Sequence, residues 1–541
     1  MKRVVPYPLL LILAVVLDRV AISSSQISIA QSIRPIIILI LLVGLTLFLI
    51  QRFVKDWHYT NFIVMMIPIA LLIYRSLYGF FKMNFPQQAD YLALAILPLL
   101  AVTFAAVVSR RVWQWIRNPD QLAYYFNLVF IFLLGFQGLR LGGPIVRVLS
   151  TGTQSHAEAI STLTDDVQLQ SKTRPDIYVI VLDGYGRQDV LRDIYDYDNS
   201  QFIHQLEERG FYVAAENHSN YVQTPYAMAS LWNYDYLQPW DSSTDYPRYL
   251  LEPIQNNRVF RLLNEIGYTT VSFEGDLVFT EISDSDVYLS NFLPLNKFEG
   301  LLLVDGPFEA LSNVFGLKFP IPNNETHRSR IQYELDTLHQ IPESIAGPKI
   351  VYAHILATHP PFVLDQDGSL VHQHQPYSLW DGSEFKDTQD AYWNGYREQV
   401  IFTNKEIIGV VDDILAKSKA PPIILLMGDH GPASLFNWSF SDPGCLWERT
   451  SNLYALLLPG HQNDGTVYST ISPVNSFRVI FNTYFGTDFP LLEDKTFLTS
   501  WSEPSIMMDV TNKTDVVAGC TMPDLSESTM DHSLDFLQGG F

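Results

Sequence analysis

Cysteine is nearly absent. The 541 residues contain two, Cys445 and Cys520. Two cysteines cannot build a disulfide framework, and they leave open one bridge in an oxidising compartment or two free thiols. Basic charge is scarce too, with 35 Lys and Arg against 57 Asp and Glu. A chain this acidic lacks the surface that neutralises phosphate backbones, so nucleic acid is excluded as a partner. No internal repeat or low-complexity tract is present. The shortage of positive charge is uneven. Residues 1–145 hold twelve Lys/Arg against four Asp/Glu, and the remainder 23 against 53, net charges of +8 and −30. Such asymmetry points to two physical environments within a chain long enough for two or three domains.

The first region is built from apolar runs at about 4–22, 35–51, 59–79, 91–109 and 123–140. Each approaches the roughly 20 residues that carry an α-helix across a bilayer core of about 30 Å. A signal peptide would need a small-residue cleavage site after the first run, and none is evident. Asp18 and Arg19 near the end of that run are read as interfacial. Lys2, Arg3, Arg52, Lys55, Arg110, Arg111 and Arg117 fall on one side of the membrane. Arg34, Lys82 and Arg140 fall on the other. The positive-inside rule places the first set, with the N-terminus, in the cytoplasm of a multi-pass plasma-membrane protein. Everything after about residue 142 is then extracytoplasmic. Tyr78, Trp113, Trp115, Tyr124 and Tyr125 read as an interfacial aromatic belt.

The expected organisation is a five-helix transmembrane region (1–142), a polar linker (143–173), a large domain (174–500) and a C-terminal extension (501–541). In the large domain, apolar runs at 176–182, 268–273, 349–356, 422–427 and 452–458 read as strands. Between and after them, helices are expected near 198–209, 257–266, 327–341, 387–417 and 474–484. This alternation indicates an α/β domain with a mostly parallel sheet. Ligands of such sheets bind beyond the carboxyl ends of the strands.

Chemistry-bearing residues gather at those ends. Asp183 closes the first strand in IVLDGYGR, where Gly184 and Gly186 allow a sharp turn. Asp429 and His430 follow another strand in LLMGDHG, a carboxylate and an imidazole suited to Zn²⁺ or Mn²⁺. Thr224 precedes Pro225 at a helix start, where it serves either as a plain N-cap or as a hydroxyl beside the anion-attracting helix terminus. A nearby dication would lower its pKa and make it a nucleophile. His354 lies within the strand at 349–356 and reads as a core or supporting residue. His359, after it in THPPF, is placed to contact a transferring group or protonate a leaving oxygen. His372 and His374 read as surface histidines.

The order LDGYGR, Thr224, THPPF, GDHG resembles the alkaline phosphatase/sulfatase superfamily over about residues 174–500. The helical anchor ahead of it resembles, in layout, lipoteichoic acid synthases and lipid A phosphoethanolamine transferases. The resemblance implies an alkaline phosphatase-like fold and a divalent metal, Zn or Mn before Mg or Ca, held by Asp183, Thr224, Asp429 and His430. It further implies Thr224 and His359 as catalytic residues, with His359 and His354 toward the substrate. The implied substrate is a phosphate-type ester, lipid-linked or on a glycan, and membrane lipid is a further partner. A sulfatase is disfavoured, because Thr224 stands where a modified Cys or Ser belongs and no Arg follows at 228. No D-x-x-x-H between Thr224 and Asp429 supplies a second metal site, although Asp276, His354 and His359 could be recruited to one. A catalytically inactive, membrane-anchored scaffold or receptor is the reading from another class, and the retained metal-site residue types oppose it. The N-x-S/T triplets at Asn217, Asn324, Asn437 and Asn512 are read as chance occurrences.

Overall fold

The structure is a computed structural model. It describes the chain except residues 1–5, 24–28, 86–87, 151–168, 170–173, 241–245, 292–296, 305, 316–321, 372–374, 376, 462–463, 518–519 and 521–541. His372 and His374, most of the expected linker and most of the C-terminal extension lie outside the described residues.

The N-terminal region forms long helices at Tyr7–Ser23, Ile29–Val54, Trp57–Asn84, Ala89–Val107 and Pro119–Ser150, with a single turn at Arg110–Trp113. Among the described residues, four spans are long and apolar enough to cross a membrane: Ser32–Val54, Trp57–Asn84, Ala89–Trp113 and Pro119–Arg140. The expectation of five is therefore corrected. Tyr7–Ser23 has 17 residues, about 25 Å at 1.5 Å per residue, which falls short of the ~30 Å hydrocarbon core. Its Asp18 is also drawn inward, accepting from Arg140 Nη1 at 2.7 Å and Gln137 Nε2 at 2.9 Å. The aromatic belt is corrected in part. Tyr78 and Trp113 are buried between helices, whereas Trp115, Tyr124 and Tyr125 are exposed.

The remaining domain is built on a seven-stranded sheet. Its strands are β1 (Ile177–Leu182), β2 (Tyr212–Val213), β3 (Thr269–Phe273), β4 (Val287–Leu289), β5 (Lys349–Ile355), β6 (Ile423–Met427) and β7 (Tyr454–Leu457). The order is β2-β7-β6-β1-β5-β3-β4, and the pairings are parallel except those made by β7. All six residues of β1 are buried, because the sheet is covered on both faces. Tyr178, Ile180 and Leu182 pack against one layer that includes the helix Gln389–Lys417. Ile177, Val179 and Val181 point the other way, toward the helices Thr224–Asn233 and Ser476–Tyr484. That alternation is the two-residue period of a strand, and each such side chain contributes roughly 1.5–3 kcal/mol by leaving water. With β1 central, its carboxyl end opens between β5 and β6, where the chemistry-bearing residues converge.

Candidate metal centre and nucleophile

Asp183 leaves β1 into a turn. The next residue, Gly184, has φ +72°, and a Cβ there would meet the Thr358 carbonyl oxygen at 3.3 Å, so glycine fits the position. The Gly184 amide donates to Asp429 Oδ1 at 3.1 Å, which ties the β1 turn to the β6 turn. Asp429 and His430 follow β6 directly. Gly431 then lets the chain pass under the Glu448 carbonyl, which a Cβ would approach to 2.0 Å. Asp183, Asp429 and His430 are all buried and offer ligand atoms within 4.8 Å of one another.

The proton inventory of this cluster is short. His430 Nδ1 donates to the Gly431 carbonyl at 3.0 Å, which leaves Nε2 carrying a lone pair. That nitrogen faces Asp429 Oδ2 at 3.2 Å and Asp183 Oδ1 at 3.8 Å. Both carboxylate oxygens are buried without a hydrogen-bond partner. Two unpaired carboxylate oxygens thus converge on an imidazole nitrogen where burial makes unpaired acceptors expensive. Burial, and then Arg449, push the His430 pKa well down, so the imidazole stays neutral. Burial pushes Asp183 up, but His359, His354 and His430 more than offset this and hold it well below the usual carboxylate range. Burial and the Asp183 charge push Asp429 up to about 6. Two carboxylate oxygens and an imidazole nitrogen form the donor set of a divalent cation such as Zn²⁺ or Mn²⁺, so the residues present fit a metal.

Thr224 is the first residue of its helix, and Gln223 caps it without a side-chain bond. The plain N-cap role is therefore not the one Thr224 plays. Its Oγ1 lies 3.1 Å from His430 Nε2. Asn220 anchors the preceding loop, donating to Ser472 Oγ and the Lys495 carbonyl, each at 2.9 Å, and accepting from the Val474 amide at 2.7 Å. His354, buried in β5, sits with Nε2 3.1 Å from Asp183 Oδ2, and Nδ1 is 2.8 Å from the Tyr352 hydroxyl. It orients Asp183 and has no open surface of its own. His359 donates from Nδ1 to the Pro360 carbonyl at 2.6 Å, leaving Nε2 as its remaining nitrogen. Asp276 is not brought to this centre. It is bound by Arg330 and lies 2.7 Å from His327 Nδ1.

Arg449 was not anticipated from sequence. Nearly fully buried, it stacks on Phe436 and Trp438. Nε donates to the Val222 carbonyl at 2.8 Å, Nη1 to Asp381 at 2.8 Å and the Gly431 carbonyl at 3.1 Å, and Nη2 to His430 Nε2 at 3.1 Å. Four of its five N–H bonds are thereby used, and one on Nη2 is left, on a nitrogen that shares His430 Nε2 as a neighbour with Thr224 Oγ1. The available signal was the charged pair Glu448–Arg449 shortly before the apolar run of β7. Glu448, buried beside it, holds the 434–435 backbone through both amides. Cys445 and Cys520 form a disulfide, which closes the alternative of two free thiols. A cavity of about 520 Å³ is lined by Arg187, His218, Asp494 and Asp515 among others, none of them in this cluster.

No family model and no curated protein matches the chain. It is similar to several solved structures. One is the C-terminal periplasmic domain of EptC from Escherichia coli, at 10% identity and TM-score 0.43, covering 65% of this chain and 98% of that one. Another is the integral membrane lipooligosaccharide phosphoethanolamine transferase EptA from Neisseria meningitidis, at 12% and 0.36, covering 71% and 68%. A third is the phosphonate monoester hydrolase of Agrobacterium radiobacter, at 13% and 0.38, covering 61% and 82%.

Proposed function

We propose that the chain is a membrane-anchored, metal-dependent enzyme of the alkaline phosphatase/sulfatase superfamily that cleaves or transfers a phosphate-type ester through Thr224. One observation carries the reading. Asp183 Oδ1, Asp429 Oδ2 and His430 Nε2 converge, unprotonated and buried, within reach of a hydroxyl at a helix N-terminus. Asp183, Asp429 and His430 would hold the cation, with Thr224 beside them. When bound, it supplies the positive charge that compensates both carboxylates and lowers the pKa of the Thr224 hydroxyl.

Thr224 gives up its hydroxyl proton to solvent and Oγ1 bonds to phosphorus, while the leaving oxygen departs and takes a proton from Nε2 of a doubly protonated His359 ring, whose Nδ1 proton stays on the Pro360 carbonyl. Water or an acceptor alcohol then displaces Thr224 from phosphorus, giving hydrolysis or transfer. Arg449 presents its remaining Nη2 proton to a non-bridging oxygen, in the role of a buried guanidinium that meets charge as it develops. His354 and Gly184 keep the two carboxylates in register.

The domain is assigned to the extracytoplasmic side. Arg52, Lys55, Arg110, Arg111 and Arg117 flank the opposite ends of the four spans, and the Cys445–Cys520 disulfide suits an oxidising compartment. A lipid-linked donor is the proposal that the membrane anchor favours. The test uses the full chain in nanodiscs, with metal content measured and a phosphodiester, a phosphomonoester and a sulfate ester offered to wild type and Thr224→Ala. Loss of phosphoester turnover by about 10³-fold or more, with metal retained, is expected. Full activity of the variant, or active wild type without metal, overturns the reading.

A further inference from the structure

Between β4 and the helix Asn324–Leu338 the chain leaves the sheet domain for two short helices, Lys297–Leu303 and Pro307–Phe315. Both rest on the membrane helices. In the first, Phe298 is fully buried against Val16 and Val20, with Leu301 and Leu302 packed alongside. Arg34 reaches Glu299 through both Nε, at 2.8 Å, and Nη2. In the second, Ala310 is fully buried with Tyr74, Tyr78, Ala89 and Ala93. Lys82 donates to Glu309 Oε1 at 2.9 Å, and Asn313 donates to Asp90 Oδ1 at 3.1 Å.

Arg34 and Lys82 are basic residues on the domain side of the membrane region. Arg140, on the same side, pairs with Asp18. Lys and Arg on that side run against the positive-inside bias, and each of these is neutralised by a carboxylate. The two sockets are therefore specific docking points. They stand at the same ends of three spans, Ser32–Val54, Trp57–Asn84 and Ala89–Trp113, which is the level where hydrocarbon gives way to headgroups.

The second helix has two faces. Glu309, Ala310 and Asn313 meet the membrane helices. Phe308 and Phe315, seven residues apart and so on one side of the helix, are 46% and 64% exposed. Around the same level Phe80, Met83, Phe85 and Tyr91 are exposed on the membrane helices. An apolar helix face continuous with such a belt is covered by lipid.

We infer that the helices Lys297–Leu303 and Pro307–Phe315 form an interfacial strap. It docks on Arg34 and Lys82, beds Phe308 and Phe315 in the outer surface of the bilayer, and fixes the height of the Thr224 centre above it. The inference rests on the membrane reading. Its consequence for catalysis rests on the ester reading as well.

Both cysteines are bridged, so Phe315→Cys in the full chain gives one labelling site for an environment-sensitive fluorophore. In phosphatidylcholine vesicles the probe should be quenched by nitroxide-labelled phosphatidylcholine and shielded from iodide, whereas a probe at Asp367→Cys should show the reverse. Lys82→Glu should release the probe at position 315 to iodide, and Lys82→Glu with Glu309→Lys should restore it. A freely iodide-accessible probe in the parent, or a reversal without effect, overturns the strap. For activity, Lys82→Glu should cut turnover of a vesicle-embedded phosphodiester about tenfold or more and leave a water-soluble phosphodiester within about twofold. Equal loss on both substrates overturns the positioning role. If wild type turns over neither ester while the probe is still lipid-quenched, the ester reading fails and the strap stands.

Discussion

Two Gly-Asp pairs follow strands of the same sheet, Gly275–Asp276 after β3 and Gly428–Asp429 after β6, and each aspartate has a histidine in reach. Their chemistry is opposite. Asp276 is saturated with protons: the Arg330 guanidinium binds Oδ1, His327 Nδ1 lies 2.7 Å from Oδ2, and the Tyr377 hydroxyl lies 3.4 Å from Oδ1. Asp429 is short of them. Its Oδ2 faces a histidine nitrogen that carries a lone pair, with a second carboxylate behind it. The first carboxylate is matched by its donors, and the second, on the proposed reading, waits for a cation. Residue type and strand-end position do not separate a structural from a functional aspartate. The count of protons against lone pairs does.

Swapping one atom at each place breaks the comparison if it is wrong. Asp429→Asn should strip the bound metal and lower phosphoester turnover by about 10³-fold or more. Metal-free unfolding should not shift downward, because one of two mutually repelling buried carboxylates is gone. Asp276→Asn should do the reverse. It removes the nearest counter-charge of Arg330, an effect of about 3 kcal/mol on stability, and leaves metal content and turnover per folded molecule unchanged. Elemental analysis and denaturant unfolding of both variants decide it. Metal loss from Asp276→Asn would assign that cluster to the centre after all.

Arg449 sharpens the same point, since it brings donors to a site otherwise made of acceptors. Arg449→Lys keeps a positive charge but loses the fork that reaches Val222, Asp381, Gly431 and His430 together. The expected result is a fall of about 10²-fold in kcat/KM with metal content unchanged. A purely structural arginine would lower stability and leave kcat/KM per folded molecule intact.

How much of this was legible depended on range. β1, β3, β5, β6 and β7 stand out because each is a run of apolar residues buried on both sides, and the intervening helices carry caps or clear periodicity. β2 and β4 have two and three residues, all half-buried, too few for a period to show. Tyr78 and Trp113 look like belt residues one by one, and tertiary packing buries them. Asp183, Asp429 and His430 could be found because a strand end is a local feature. Arg449 could not, because Asp381 lies 68 residues away and the Val222 carbonyl 227, distances at which no local pattern reports.

The smallest expected effect separates the two aspartates by pH. Asp429 is raised, from an ordinary 3.8 to about 6 when folded, by burial and by Asp183. A raised carboxylate binds more protons folded than unfolded between those values, so its contribution to metal-free stability grows as pH falls from about 6 toward 4. Asp183, held low by its histidines, contributes with the opposite sign, and its contribution is lost only in stronger acid. A cation must displace the Asp429 proton, so apparent metal affinity should be flat above about pH 6 and fall by up to about tenfold per pH unit below it. Calorimetric titration of the metal-free chain with Zn²⁺ or Mn²⁺ from pH 5 to 8 measures both the affinity and the proton released. Uptake of no proton by buffer at pH 5.5, with affinity unchanged across the range, would show that Asp429 is already ionised and that its lone pair is compensated by something other than a proton. Asp276, bound by a guanidinium, should leave no trace in that titration.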